Sequence, residues 1–369
     1  MPKNTVLEPG VPAEAGLSAG RLERATGLLQ AALEEKAVTA AAIAVARKGK
    51  LVLSQGFGHL QPRAGSPEVQ PDSIFLLASI SKPVAACSVM QVVDRGLVSL
   101  DDPVNLHIPE FIGWERAKVR VSHLLSHVSG MPDMLPENVP LRRAHAPLSA
   151  FVEGAIRTRL LYEPGTSFRY QSKGILLAAE IVERVTGERL RDFQERELFA
   201  PLGMKRSALG LGGFAIPDTV WCGTTMEEGD EARSWGQNSP YWRDQGHPWG
   251  GMHSSATDLA VLLQTVLNGG SYGGAEVFSP AACAAMTADR NGHLDAPWGL
   301  GWALRDSQVW SFFGEVVSER TFGHVGATGT VAWADPERGL ICVVLTNQMV
   351  AGGSLLRRVS NAVAAAVVD

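Results

Sequence analysis

The segment LLASISKPVAACSVMQVVDRGLVSLDDPV (residues 76–104) places a serine and a lysine three residues apart at the mouth of an apolar helix. Val84 to Arg95 has helical spacing and stops at Gly96, a residue free to take the left-handed conformation that closes a helix. Pro83 is tolerated in the first turn. If the helix begins at or just before Ser79, the i, i+3 spacing of Ser79-Ile80-Ser81-Lys82 brings the lysine amine to the face of the serine hydroxyl. A serine hydroxyl is a poor nucleophile until a neighbouring base accepts its proton. A lysine serves as that base only where desolvation or nearby positive charge lowers its pKa well below about 10.4. The helix N-terminus adds partial positive charge that favours an oxyanion developing near Ser79. Taken alone, S-x-x-K fits equally a capping serine followed by a surface lysine.

Outward from this segment, Leu22, Ala25, Leu29 and Leu33 recur at helical spacing behind Ser18 as N-cap. Ala42 to Arg47 and Leu51 to Phe57 form a hairpin signal around Lys48-Gly49-Lys50. Gly174 to Thr186 predicts a helix stopped by Gly187, with Ile175, Ala178, Ala179, Val182 and Val185 as its core-facing stripe. Residues 207–250 lack periodicity and carry Trp221, Trp235, Trp242 and Trp249. They fit either a lid or pocket wall, or an irregular excursion whose tryptophans plug the core. Thr330 to Ala334 and Leu340 to Thr346 predict a second hairpin, and Leu355 to Val367 a last amphipathic helix. Strands at both ends and helices between them predict a mixed α+β fold. An antiparallel β-sheet flanked by helices is built from both termini (1–75 and 245–369). A mostly α-helical lobe with a loop-rich pocket wall (76–244) is inserted, and the active site lies between the lobes.

The chain of 369 residues exceeds what one ordinary core organises, which agrees with two lobes. Thirty-three basic against 38 acidic residues, with no cluster of Lys and Arg, excludes the footprint of a nucleic-acid or membrane-surface binder and leaves small molecules as partners. MPKNTVLEPGVPAEAG has no apolar core of a secretory signal, and Ala37 to Ala46 is too short to span a bilayer. Cys87, Cys222, Cys283 and Cys342 form no C-x-x-C pair and are expected as buried free thiols. A cytoplasmic enzyme is the resulting expectation. No phosphate loop or metal-ligand cluster stands out, so no cofactor and no metal are expected.

At this point the chain resembles the serine β-lactamase and penicillin-binding-protein superfamily, in particular its class C-like branch with the family VIII carboxylesterases. The resemblance runs through residues 76–104, VSHLLSHVSGMPD (121–133), PGTSFRYQSKG (164–174), FAPLGM (199–204), GGMHSSATDLA (250–260) and FGHVGATGT (322–330). It implies Ser79 as nucleophile with Lys82 and Tyr170 as catalytic partners. Tyr170 would act as general base in acylation and as general acid toward the leaving group. The Y-x-N motif reads Tyr170-Gln171-Ser172, so the tyrosine carries over and the asparagine does not. The K-T-G motif reads His324-Val325-Gly326, a form that looks like the esterase branch. The backbone N–H groups of Ser79 and Ala327 would form the oxyanion hole. Ser172, His324, Gly326 and Trp249 are the expected substrate-binding positions, with walls from the tryptophan-rich stretch and from Trp298 to Trp302.

Three other patterns compete. Gly269-Gly270-Ser271-Tyr272-Gly273 matches G-x-S-x-G, but it follows the apolar helix Asp258 to Leu267 where a nucleophile elbow needs a strand, so it reads as a glycine-rich loop. His123 and His127 stand four apart as metal ligands on a helix can, without the glutamate of H-E-x-x-H. Asp101-Asp102-Pro103 reads as a solvated turn more than as an acid/base pair. The expected function is hydrolysis of short- to medium-chain carboxylic esters through a Ser79 acyl-enzyme. A β-lactamase or D-amino-acid peptidase, an acyltransferase of the same fold, and a catalytically silent ligand-binding protein are the alternatives.

Overall fold

AAAIAVAR, residues 40–47, is apolar at nearly every position, the pattern of a strand buried on both faces. In the computed structural model, which describes residues 4–223 and 232–369, Ala40–Arg47 is strand β2 and is buried throughout. The Lys48-Gly49 turn, with both residues at positive φ, returns the chain as β3 (Lys50–Gly58). The short β1 (Glu8–Pro9) lies parallel to β3. The C-terminal third adds β9 (Ala303–Leu304), β10 (Phe322–Gly326), β11 (Thr330–Asp335) and β12 (Leu340–Thr346). The strands form one seven-stranded sheet, β1-β3-β2-β12-β11-β10-β9, antiparallel except at β1. Chain ends meet where β2 pairs β12, Ile43 opposite Val344.

Alternation decides which face each residue serves. Ala41, Ile43, Val45, Cys342 and Val344 pack with helix α1 (Ala19–Glu34) and the C-terminal helix Ser354–Ala364. Ser18 takes the N-cap position of α1 as its type predicts, but its side chain makes no capping hydrogen bond. Ala40, Ala42, Ala44, Ala46, Ile341 and Val343 face the opposite side, against the helix Ala256–Leu267. That second core continues without a break into the helical half, through α2 (Ser81–Asp94) and the helix Lys173–Thr186. Both helices close on a glycine at positive φ, Gly96 and Gly187. The four cysteines are buried and no disulfide joins them.

A small sheet of β4 (Phe75–Leu76), β6 (Met252–Ser254) and β5 (Ala208–Leu209), in the order β4-β6-β5, ties the entry to α2 to the segment after residue 245. The G-x-S-x-G match lies in a separate hairpin, β7 (Ser271–Tyr272) with β8 (Ala275–Glu276), where Gly270, Gly273 and Gly274 make the tight backbone turns at positive φ. Ser271 is therefore on a hairpin strand that follows a helix, the reverse of a nucleophile elbow. Among the described residues no helix is long and apolar enough to cross a membrane.

Candidate active site

Helix α2 starts at Ser81, two residues after Ser79. Ala78 stands at φ +49, so the run cannot be helical through it, and Ala78–Ile80 forms a 3₁₀ turn instead. The Ser81 hydroxyl fixes this corner by donating to the Ala78 carbonyl at 2.7 Å and accepting from the Met252 N–H at 2.9 Å. Ser79, in the middle of this turn, lies three residues before Lys82 in the first turn of α2, and Lys82 Nζ comes to 2.9 Å from Ser79 Oγ. Ser79 itself stays partly open to solvent while Lys82 is buried.

Lys82 Nζ also donates to the Trp249 carbonyl at 2.9 Å and lies 4.7 Å from the centre of the Tyr170 ring. Burial drives its amine down to about 7, with the Asp133 carboxylate pulling the other way. The contact with Ser79 can therefore run in either direction, the ammonium donating or the free amine accepting. Tyr170 has its hydroxyl oxygen buried without a hydrogen bond of regular geometry, although the nearby Ser79 hydroxyl would favour its ionised form. Burial outweighs that effect and pushes the phenol well above its ordinary 10. Tyr170 is a neutral phenol at neutral pH. It can give a proton; it is not available as a tyrosinate base.

The turn after β10 is pinned to the residues just before the serine. Thr328 Oγ1 donates to the Leu76 carbonyl at 2.8 Å and Thr330 Oγ1 to the Leu77 carbonyl at 2.9 Å. Gly326 passes so close that a Cβ there would overlap the Leu77 carbonyl oxygen. Ala327 follows it in this turn, half-buried, next to the corner that carries Ser79. His324, on β10, is buried with its ring 5.9 Å from that of Tyr170, and burial together with Lys82 lowers its pKa to about 3. Its Nδ1 is engaged with the Val325 carbonyl and its Nε2 has no partner. The site accordingly has no fixed cation on β10.

This arrangement suits acyl transfer: a hydroxyl against a buried amine, a neutral phenol beside both, and a strand turn held against the corner that carries Ser79. Residues 25–366 match the Beta-lactamase family. The chain belongs to that family. It is a β-lactamase-fold serine hydrolase. Over 375 aligned residues it is 28% identical to a putative D-alanyl-D-alanine carboxypeptidase of Salmonella agona (strain SL483), covering 93% of this chain and 86% of the relative. A family VIII carboxylesterase superposes with a TM-score of 0.77 at 21% identity, over 94% of this chain and 98% of the other. EstCE1, a hydrolase with promiscuous acyltransferase activity, gives 0.75 at 21% identity, over 94% and 99%. At these identities the two structures establish the shared fold.

Other expected positions fall out differently within this β-lactamase fold. Ser172 does reach the site, but its hydroxyl is given to Asp133 Oδ1 at 2.6 Å. Trp249 turns its indole inward, 3.6 Å below Lys173 Nζ, so what it offers the centre is its backbone carbonyl. Trp298 and Trp302 are core residues, not open walls: Trp298 packs on His127, Phe168 and Tyr170, and Trp302 on Phe322. Trp235 and Trp242 are likewise buried; residues 224–231 lie outside the described residues. His127 has left the short helix of His123 (Val121–Leu125) and stands at φ +62, its ring 4.7 Å from Tyr170 and its Nδ1 accepting from the Gln171 N–H. The two histidines share no metal-binding group; none with three or more ligating side chains occurs among the described residues. Asp102 accepts from the Ser99 N–H and pairs with His107, and Asp101 is exposed, the geometry of a solvated turn.

Three residues at the site escaped the sequence. Asp133 brings a carboxylate beside Ser172 and into the field of Lys82 and Tyr170. Lys173 is fully buried. Trp310, half-exposed at φ +58, sets its ring 5.6 Å from Tyr170. Lys173 left one sequence signal: a lysine in the first turn of a helix sits at the end where the helix dipole opposes a cation.

Proposed function

We propose that this protein is a carboxylesterase that hydrolyses short- to medium-chain carboxylic esters through an acyl-enzyme on Ser79. The observation that carries the proposal is the 2.9 Å contact between Ser79 Oγ and the buried, readily deprotonated amine of Lys82. The amine takes the Ser79 proton as Oγ adds to the ester carbonyl, and the Ser79 and Ala327 N–H groups hold the oxyanion. Tyr170, kept neutral, passes a proton to the departing alkoxide. The Lys82 ammonium then returns its proton to the tyrosinate so formed. Water attacks the acyl-enzyme with Lys82 again as base, and the proton it takes passes to Ser79 Oγ as the acid leaves. Assigning the base to Lys82 revises the expectation that Tyr170 fills that role in acylation.

Esters are favoured over carboxylate-bearing amides by the equipment on β10. His324 is uncharged and Ser172 is committed to Asp133, so neither offers an ion-pair partner for a substrate carboxylate. Esters also demand less help for the leaving group. His324 Nε2 is itself enclosed and Gly326 packs on the Leu77 carbonyl, so neither presents an open contact to a substrate. D-amino-acid peptidase activity is the second reading, supported by the name of the Salmonella relative. Acyltransfer to an alcohol, which the name of EstCE1 records for that protein, is compatible with the same acyl-enzyme.

The test is the initial rate on p-nitrophenyl butyrate at neutral pH for wild type and Ser79→Ala. Turnover by the wild type that collapses in the variant supports the esterase. Activity retained in Ser79→Ala removes Ser79 from the mechanism. A silent wild type that still cleaves D-alanyl-D-alanine peptides moves the assignment to the peptidase.

A further inference from the structure

Two lysines are buried among the described residues, Lys82 and Lys173. Lys82 has hydrogen-bond partners in Ser79 and Trp249; Lys173 Nζ, equally enclosed, has none. Its nitrogen instead sits 3.6 Å from the centre of the Trp249 ring and 5.6 Å from that of Phe151. An indole face attracts an ammonium far more than a neutral amine. The carbonyl of the same Trp249 receives Lys82 Nζ, so the two amines meet across one residue. Asp133 pulls on both, and its carboxylate is held by Ser172 immediately before Lys173 in the chain.

The other titratable groups facing this pair contribute no charge near neutrality. Burial holds His127, His247 and His324 well below the ordinary imidazole range, and Tyr170 keeps its proton. His247 packs its ring 4.7 Å from Trp249, on the indole that Lys173 covers. Asp133 is left as the anion of the set. One half-buried carboxylate beside two buried amines favours one cation, and a second would be repelled by the first.

We propose that Lys173 is a positioning residue: seated on the Trp249 indole, it carries the cation that balances Asp133 and so leaves Lys82 as the free amine beside Ser79. The inference rests on Ser79 and Lys82 being the reacting pair. Burial lowers both amines to about 7, which makes the choice between them sensitive to the indole and to Asp133.

The test is an NMR titration of the full chain with lysine labelled at ¹³Cε, Lys82→Met and Lys173→Met supplying the assignments. Lys173 is expected to stay protonated to higher pH than Lys82. In Lys173→Met the Lys82 titration is expected to move up by about one pH unit, because a repelling charge is gone and Asp133 now acts on Lys82 alone. The rate of Ser79 phosphonylation by a fluorophosphonate follows the same amine. Its acidic limb moves up with Lys82 in Lys173→Met, a loss of up to about tenfold at pH 7 that recovers by pH 9. Lys173→Arg, which keeps a cation on the indole, retains the wild-type limb. A merely structural role lowers the rate equally at every pH. A cation found on Lys82, or a Lys82 titration unmoved in Lys173→Met, overturns the proposal. If Lys173→Met does not fold, Trp249→Leu keeps the carbonyl and removes the indole; Lys173 must then lose its proton at lower pH, and an unchanged Lys173 refutes the assignment. Predicted titrations in a wild type that resists phosphonylation would support the charge assignment and count against the Ser79 mechanism.

Discussion

At the scale of single residues, the site trades stability for a usable base. Lys82 ionises near 7 in the folded protein against about 10.5 in the unfolded chain. Between those values the unfolded state binds the extra proton, so the cost of burying the amine is complete below pH 7 and fades toward pH 10. Lys82→Met should be inactive yet more stable than wild type by on the order of 2–4 kcal/mol at pH 6. Chemical denaturation at pH 6 and pH 10 checks this: a gain as large at pH 10 as at pH 6 would contradict it. The same ionisation sets the rate profile. As the amine must be free to accept the Ser79 proton, kcat/KM should rise through a half-maximum near pH 7 and level off about one to two units above it, Tyr170 remaining protonated throughout. A profile that falls through pH 7 would assign the base elsewhere. Trp310 belongs to this scale too. A bulky residue at φ +58 is strained, and the strain places a half-exposed indole against Tyr170. Trp310→Ala should change the relative kcat/KM for butyrate and octanoate esters by about tenfold, the worth of roughly 1.4 kcal/mol of apolar contact. An unchanged ratio would show that the indole does not touch the acyl chain.

Elements decide whether those residues meet. The 3₁₀ turn ahead of α2 holds Ser79 against Lys82 in the first turn of that helix, and the β10–β11 turn is fastened to Leu76 and Leu77 by two threonine hydroxyls. Gly326 is the tightest point of that seam. Gly326→Ala would force β10 away from the Leu77 carbonyl and with it shift the Ala327 N–H relative to Ser79. Misplacing one oxyanion donor typically costs about 100-fold in kcat. The expected result is a loss of that order in a protein that still shows its full circular-dichroism signature. Normal turnover in Gly326→Ala would mean the turn does not help form the oxyanion hole. S-x-x-K and H-x-G were legible as motifs. The strained Ala78 that holds off the start of the helix carries no residue-type signature, because an alanine at positive φ is imposed by the contacts around it, here the Ser81 and Met252 bonds.

On the scale of the whole molecule, one sheet joins the chain ends and supports the site from a distance. Trp333 on β11 is fully buried on the sheet face away from the helical half and donates its Nε1–H to Ser360 in the C-terminal helix. Trp333→Ala should destabilise the fold by about 3–5 kcal/mol while leaving kcat of the folded fraction near wild type. Urea titration and kinetics below the transition separate the two, and a kcat that falls with stability would couple this face of the sheet to the site.

The sequence alone marked the main helices, the two hairpins of the large sheet and the glycine helix stops, and through its family resemblance it pointed to the proposed Ser79–Lys82–Tyr170 set, because hydrophobic period, turn chemistry and short motifs are local properties. It also indicated that strands from both ends would share a sheet. Tertiary structure alone decided the charge states and the company of those residues. Asp133, Lys173 and Trp310 come from three separate parts of the chain, and no local pattern marks their meeting around Tyr170 and Trp249. Of the tryptophans offered as pocket walls, Trp235, Trp242, Trp249, Trp298 and Trp302 went into the core, because exposure follows from packing and not from residue type. The proposed base is Lys82 and not a tyrosinate for the same reason: burial acts on both, lowering the amine and raising the phenol, and burial is a property of the folded chain.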